Sequence, residues 1–158
     1  MSFVGVLLFV QGIITLTYCT QYSKEGVSQW PNDIPDDVLY LVIKHGPIEN
    51  IPGEEFERLN KLHNLKLWDL GIQTLPNITA AGDTLEKLFL IDNLKLVFVY
   101  PGILSSLTNL QYFTIRGSPL FTALPDAEGL KPTFVELSNT RLDRIPLLPN
   151  MGKEILVS

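Results

Sequence analysis

The chain has 158 residues, of which 46% are hydrophobic and 18% charged. This composition describes one folded domain and excludes a disordered chain. The formal net charge is −5 and no run of lysine or arginine occurs, so the sequence lacks the basic footprint of a nucleic-acid-binding protein.

The N-terminal segment is apolar and contains no acidic or basic side chain before Lys24. An apolar stretch that begins near the N-terminus and turns polar after Leu16 is typical of a secretory signal peptide. A small residue at the end of the stretch permits cleavage after Cys19, so we expect residues 1–19 to be removed. The alternative is an uncleaved signal anchor, because about 20 apolar residues span a bilayer.

Residues 20–38 are expected to form an N-terminal cap without cysteines, since Cys19 is the only cysteine in the chain. Val27 and Trp30 are the large apolar residues of this segment. We expect them to cover the open end of the hydrophobic core that follows.

From this point a short phrase recurs, consisting of an apolar residue, two variable residues, a second apolar residue and then proline. The second apolar residue falls at positions 30, 51, 75, 99, 124 and 145, at steps of 21 to 25 residues. A nearly constant period of this length is the mark of a solenoid. The six copies of the phrase cover residues 27–31, 48–52, 72–76, 96–101, 120–125 and 142–146.

A second pattern, apolar–any–apolar, precedes the phrases and predicts one short strand per unit. Because a single unit is too small to bury its own leucines, successive units stack and their strands pair in parallel. The segment 53–62 predicts a short helix on the opposite side, whereas 77–84, 102–107 and 126–131 predict loops. The strand triplets are 41–43, 65–67, 88–90, 113–115, 135–137 and 155–157.

Residues 62–75 match L-x-x-L-x-L-x-x-N-x-L-x-x-L except at the asparagine, and with five further partial matches the chain resembles the leucine-rich repeat family. The resemblance implies an α/β repeat solenoid, curved, with a parallel concave sheet and irregular loops or short helices on the convex side. Residues 39–158 would hold about five repeats and a truncated sixth. The lead-in, residues 30–38, resembles that of extracellular members of the family.

The family's asparagine usually satisfies backbone groups in the turn between units. Buried backbone groups need such partners. We therefore expect Ser118 and Thr140 to replace the amide in part, and the turns of the first two units to be irregular. The asparagine position holds Gly46, Leu70, Asn93, Ser118 and Thr140.

Residues that alternate with the inward leucines point to the other face of a strand. On the concave face we expect them to form a ligand-binding surface, since exposed aromatic residues with arginine are typical of partner-binding patches. Two alternatives remain: the aromatic residues pack only against one another, or a shift of one residue places them in the core. The predicted surface consists of Tyr40, Lys66, Trp68, Phe89, Ile91, Tyr112, Arg116 and Phe134.

The sequence does not indicate an enzyme, because His45 and His63 are far apart in the repeat and assemble neither a catalytic triad nor a metal site. We expect no cofactor and no metal. Asn77-Ile78-Thr79 is an N-glycosylation sequon in an accessible loop, clear of the concave face.

The function predicted is therefore a secreted, extracellular binding module that recognises a protein ligand or receptor. The alternative is the N-terminal part of a membrane receptor ectodomain, the only case in which we expect association with a membrane. The array ends inside its sixth strand, and such an uncapped strand could also pair with another chain.

Overall fold

A computed structural model describes residues 4–10, 13–125, 130, 132–143 and 154–157. At the N-terminus, β1 (Val4–Val10) and β2 (Ile13–Cys19) pair in antiparallel fashion as a separate two-stranded sheet. Within the described residues, no helix is long and apolar enough to span a bilayer. The cleavage of residues 1–19 stays a prediction.

The rest of the chain is organised around one seven-stranded parallel sheet, whose spatial order follows the chain order. Successive parallel neighbours, one strand per unit, are what stacked repeats produce. The predicted repeat solenoid with a parallel sheet is therefore confirmed. Its strands are β3 (Gln21–Glu25), β4 (Tyr40–Gly46), β5 (Asn64–Leu70), β6 (Lys87–Ile91), β7 (Tyr112–Ser118), β8 (Phe134–Thr140) and β9 (Glu154–Val157).

The six predicted strands coincide with β4 to β9, because alternating apolar residues leave one face of each strand to be buried. Both apolar residues of each triplet in β4 to β8 are buried, and they belong to one continuous hydrophobic core. Stacking of neighbouring units thus buries what a single unit could not. The inward residues are Leu41, Ile43, Leu65, Leu67, Leu88, Leu90, Phe113, Ile115, Val135 and Leu137.

Strand β3 was not predicted from the sequence. Its burial rests on a single residue, Tyr22, whose hydroxyl donates a hydrogen bond of 2.5 Å to Asp33. Asp33 also lies 3.0 Å from the ammonium group of Lys24. Burial raises the pKa of the Tyr22 phenol, and the hydrogen bond with Asp33 adds to this rise. Val27 and Trp30 pack, partly buried, against the core, as expected of the cap.

The side of the solenoid opposite the sheet carries three single helical turns within the described part of the chain. The predicted helix in 53–62 is confirmed as α1 (Glu55–Arg58), which buries Phe56. The predicted loops were wrong in two units, which contain a 3₁₀ turn (Thr79–Ala81) and α2 (Ile103–Ser106). In the third, 126–131, only residue 130 is described.

The phrase at 120–125 is shifted by one residue from the alignment made on sequence. Phe121 is fully buried, whereas Leu120 is 49% exposed. Phe121-Thr-Ala-Leu124-Pro125 is in fact a regular copy of the phrase. The error arose because this unit, like the one before it, has one extra residue between strand and phrase. Ile145 and Pro146 of the last copy lie outside the described residues.

The C-terminal ends of β4, β5, β7 and β8 and the residue after β6 share one backbone conformation. The residue one before the family's asparagine position adopts a left-handed φ in every unit, namely 53° at His45, 52° at Asp69, 53° at Asp92, 67° at Gly117 and 51° at Asn139. The irregularity expected in the first two turns is therefore absent at this position.

Asn93 behaves as the leucine-rich repeat pattern implies. Its side chain is buried, accepts a hydrogen bond from the Leu70 amide (3.0 Å) and donates one to the Leu67 carbonyl (2.9 Å). Ser118 does not replace it, because its buried hydroxyl has no hydrogen-bond partner among the described residues. One side chain thus connects the second and third units through their backbone groups.

Candidate functional site

The face of the sheet turned away from the core, which we call the open sheet face, carries three columns of side chains in register. They contain all eight residues of the predicted surface, since strand pairing sets these residues side by side on one face. The first is Tyr40, Asn64, Lys87, Tyr112 and Phe134; the second Val42, Lys66, Phe89, Thr114 and Glu136; the third Lys44, Trp68, Ile91, Arg116 and Ser138.

Trp68, in the third column on β5, is held by polar neighbours. The ammonium groups of Lys66 and Lys44 lie 4.5 and 6.0 Å from its ring centroid. The His45 ring is 4.7 Å away, and the indole Nε1 donates a hydrogen bond of 3.1 Å to Asp92. Such cation–π contacts contribute about 0.5–2 kcal/mol each. The indole is half-buried and does not belong to the hydrophobic core.

The left-handed turn residues frame this indole. His45 contacts the Trp68 ring, Asp92 accepts its hydrogen bond, and Asp69 lies 3.0 Å from the His45 Nδ1. A non-glycine residue in this conformation is strained by its Cβ. Because the same conformation recurs at Gly117 and Asn139, it belongs to the repeat, and at positions 45, 69 and 92 it carries the polar side chains that surround the indole.

A second aromatic group lies on β7 and β8. The Tyr112 and Phe134 rings are 6.1 Å apart, and the Lys87 ammonium lies 4.8 Å from the Tyr112 centroid. Phe89 on β6 is half-buried and lies between the two groups, in register with Lys66. Trp68 and the Tyr112–Phe134 pair are thus the centres of two clusters, and the contact between Tyr112 and Phe134 is made across strands, as the simpler alternative expected.

The remaining predicted residues differ in their accessibility. Tyr40, at 37% exposure, and Arg116 are exposed. Ile91 is only 6% exposed, so it offers little contact surface. It stands in the third column in register between Trp68 and Arg116. Ile91 faces the predicted side, and its role as a contact residue stays a prediction that its small exposed area does not favour.

The cations of the open sheet face differ in their pairing. Lys44 lies 3.1 Å from Glu25. Lys66, Lys87 and Arg116 form no ion pair within the described part of the chain. Unpaired cations beside aromatic rings complement a ligand that presents both acidic and apolar groups.

The described titratable side chains around Trp68 do not form a group that could hold a metal ion. Among the described residues no group of three or more His, Cys, Asp and Glu side chains could hold a metal ion. The carboxyl groups whose pKa is lowered lie elsewhere. The pKa of Asp33 falls because of its hydrogen bonds with Tyr22 and Lys24, and that of Glu49 because of its hydrogen bond with Lys95.

The sequence reasoning missed a second exposed apolar surface, on the third unit. Val97, Phe98 and Tyr100 are exposed there, and the rings of Phe98 and Tyr100 meet edge to face at 4.8 Å. A signal was present in the phrase itself. Its two variable positions are polar or small in the other copies, such as Glu49 and Asn50, and only the fourth copy, residues 96–101, fills both with large apolar residues.

The predicted glycosylation residue Asn77 is exposed, in the loop before the 3₁₀ turn. It lies on the phrase side of the unit, outside the three columns of the open sheet face. Its accessibility agrees with the prediction, whereas its modification stays a prediction.

No protein-family model matches the chain, and no curated protein matches it either.

Proposed function

We propose that the chain is a leucine-rich repeat binding module of the secreted or extracellular kind, which binds a protein ligand through the open sheet face without catalysing a reaction. The family assignment is supported by the match of residues 62–75 to the leucine-rich repeat pattern, the buried leucine pairs and the hydrogen bonds of Asn93. In this proposal the open sheet face is the concave side of the array.

The observation that carries the proposal is the environment of Trp68. A large indole lies outside the hydrophobic core and is held by cations, a carboxylate and a histidine. Tryptophan with arginine nearby is the composition in which interface hot spots are enriched. Phe89 extends this apolar surface toward Tyr112.

The chemistry of the face also narrows the ligand. Lys66, Lys87 and Arg116 lie on three successive strands and lack carboxylate partners in the described structure. A protein surface that presents acidic side chains around an apolar or aromatic residue would satisfy both groups. We therefore expect association to slow as salt is added, because screening weakens the attraction between the charges.

The test is the double substitution Trp68→Ala and Phe89→Ala in the full chain. Partners are first captured from extracellular material with the wild-type protein, and the affinity of the identified partner is then measured. Two hot spots of about 2 kcal/mol each predict a loss of roughly 1,000-fold in affinity. The melting temperature should change by less than about 3 °C, since neither residue belongs to the core.

Phe98→Ala is the matched control, because Phe98 is an exposed aromatic residue away from the open sheet face. It should leave the affinity unchanged. Equal affinities of the wild type and the double variant would refute the proposed surface. Unfolding of the double variant would show instead that Trp68 and Phe89 are required by the core.

A further inference from the structure

A groove of about 480 Å³ opens between the second and third units, on the phrase side of the solenoid. Asn77 and Thr79 line it from one unit, and Tyr100, Pro101 and Gly102 from the next. We call this groove the Asn77 groove. Tyr100 is 53% exposed, and its ring contacts that of Phe98 edge to face. A volume of this size suits a small organic group with apolar and polar faces.

The side chain of Asn77 is oriented by its own sequon. Its Oδ1 accepts hydrogen bonds from the backbone amide of Thr79 (3.2 Å) and from the Thr79 hydroxyl (2.8 Å). Its Nδ2 has no hydrogen-bond partner among the described residues. The nitrogen to which a glycan would be attached therefore makes no other hydrogen bond in the described structure, while the side-chain oxygen is held by Thr79.

The neighbouring units leave room around Asn77. The residue that follows the phrase proline is Gly53 in the unit before and Gly102 in the unit after. A Cβ on Gly53 would lie 3.0 Å from the Cβ of Asn77, and the space beside Gly102 is open. Two glycines flanking an exposed asparagine prevent side chains from covering it.

We propose that Asn77 carries an N-linked glycan whose first N-acetylglucosamine packs on the ring of Tyr100 in the Asn77 groove. The transfer forms a bond between Nδ2 and C1 of the sugar. It breaks the bond between C1 and the diphosphate oxygen of a lipid-linked oligosaccharide donor, and one Nδ2 proton is released. The apolar C–H face of the sugar then covers the Tyr100 ring, while its hydroxyl groups face water.

This arrangement also accounts for the exposed aromatic residues of the third unit. Contiguous exposed apolar surface on a soluble protein calls for a cover. A sugar attached at Asn77 lies on the same groove as Tyr100 and needs no second molecule. The inference requires that the chain is secreted, but it is independent of ligand binding by the open sheet face.

The first step of the test is expression of the full chain in a eukaryotic secretory host, followed by measurement of the intact mass. We expect one glycan that is lost in Asn77→Gln and in Thr79→Ala and retained in Thr79→Ser. A chain recovered without a glycan overturns the inference. Ligand binding is tested separately: the double variant Trp68→Ala and Phe89→Ala should lose affinity for the partner, whereas Asn77→Gln should keep it.

The second step tests the packing on Tyr100. The glycan is trimmed enzymatically to one N-acetylglucosamine, and the melting temperature is compared with that of Asn77→Gln. We expect the sugar to raise it by about 2–4 °C, the effect of one good aromatic contact in a domain of this size. The gain should disappear in Tyr100→Ala and Tyr100→Leu and persist in Tyr112→Ala, since Tyr112 is an exposed tyrosine of the open sheet face, away from the Asn77 groove. An equal gain in the Tyr100 variants, or no gain in the wild type, refutes the packing.

Discussion

The substitution Asn93→Ala should be among the most destabilising single changes in this chain. It leaves the Leu70 amide and the Leu67 carbonyl, both buried, without their hydrogen-bond partners. Each buried backbone group that loses its partner costs about 1–3 kcal/mol, so the two together predict a loss of about 4 kcal/mol in the free energy of unfolding. That is a large fraction of the ~5–15 kcal/mol that stabilises a typical domain.

Urea unfolding followed by circular dichroism measures this loss. With a slope of about 2 kcal/mol per molar urea, the midpoint should fall by roughly 2 M. Hydrogen exchange adds a local measurement, because the Leu70 amide should lose protection more than amides in the centres of β6 and β7.

Ser118→Ala is the matched control, at the same position of a later unit. The Ser118 hydroxyl is buried without a partner in the described structure, so its removal should change stability by less than about 0.5 kcal/mol or increase it. Equal losses in the two variants would refute the reasoning. A loss below about 1 kcal/mol in Asn93→Ala would do so as well.

Three further predictions follow from the packing, the turns and the charges. In urea unfolding, Phe121→Ala should lower the free energy of unfolding by about 3–5 kcal/mol, whereas Leu120→Ala should change it by less than about 0.5 kcal/mol. The reverse order would show that Leu120, as the sequence alignment predicted, is the core residue. Gly117→Ala and Gly26→Ala each force alanine into a left-handed φ, at about 1 kcal/mol, and Gly117→Ala should lower the melting temperature further because its Cβ would displace the Asp92 side chain. The pKa of Asp33 is lowered in the folded protein, so its contribution to the free energy of unfolding is complete above the unfolded pKa of about 4 and is lost as the pH falls through the folded pKa. Between pH 6 and 2.5 the melting temperature should therefore fall less steeply for Asp33→Asn than for the wild type. Identical slopes would contradict this.

The strands and the open sheet face could be predicted because burial imposes a period of two on each strand. Leu65 and Leu67 must be inside, so Lys66 and Trp68 must be outside, and parallel stacking then aligns them with their neighbours. Strand β3 escaped prediction, since its only inward apolar residue is Tyr22 and it owes its extended form to pairing with β4.

Features that depend on contacts between neighbouring units were harder to predict from the sequence. Ile91 faces outward as predicted, yet it is buried, in register between residues of two other strands. The alignment at Leu120 failed because a fixed spacing cannot reveal where an extra residue is inserted. The Asn77 groove is formed by residues more than 20 positions apart, which only the stacking of units brings together.

The left-handed positions join backbone strain and side-chain chemistry in one column. Glycine at positions 45, 69 and 92 would relieve about 1 kcal/mol of strain each, at an entropic cost of similar size in the unfolded chain. The same three changes would remove the ring beside Trp68, the carboxylate that accepts its indole N–H, and the aspartate that holds His45. Changes to glycine at these three positions would therefore alter the surroundings of Trp68 far more than the stability of the chain.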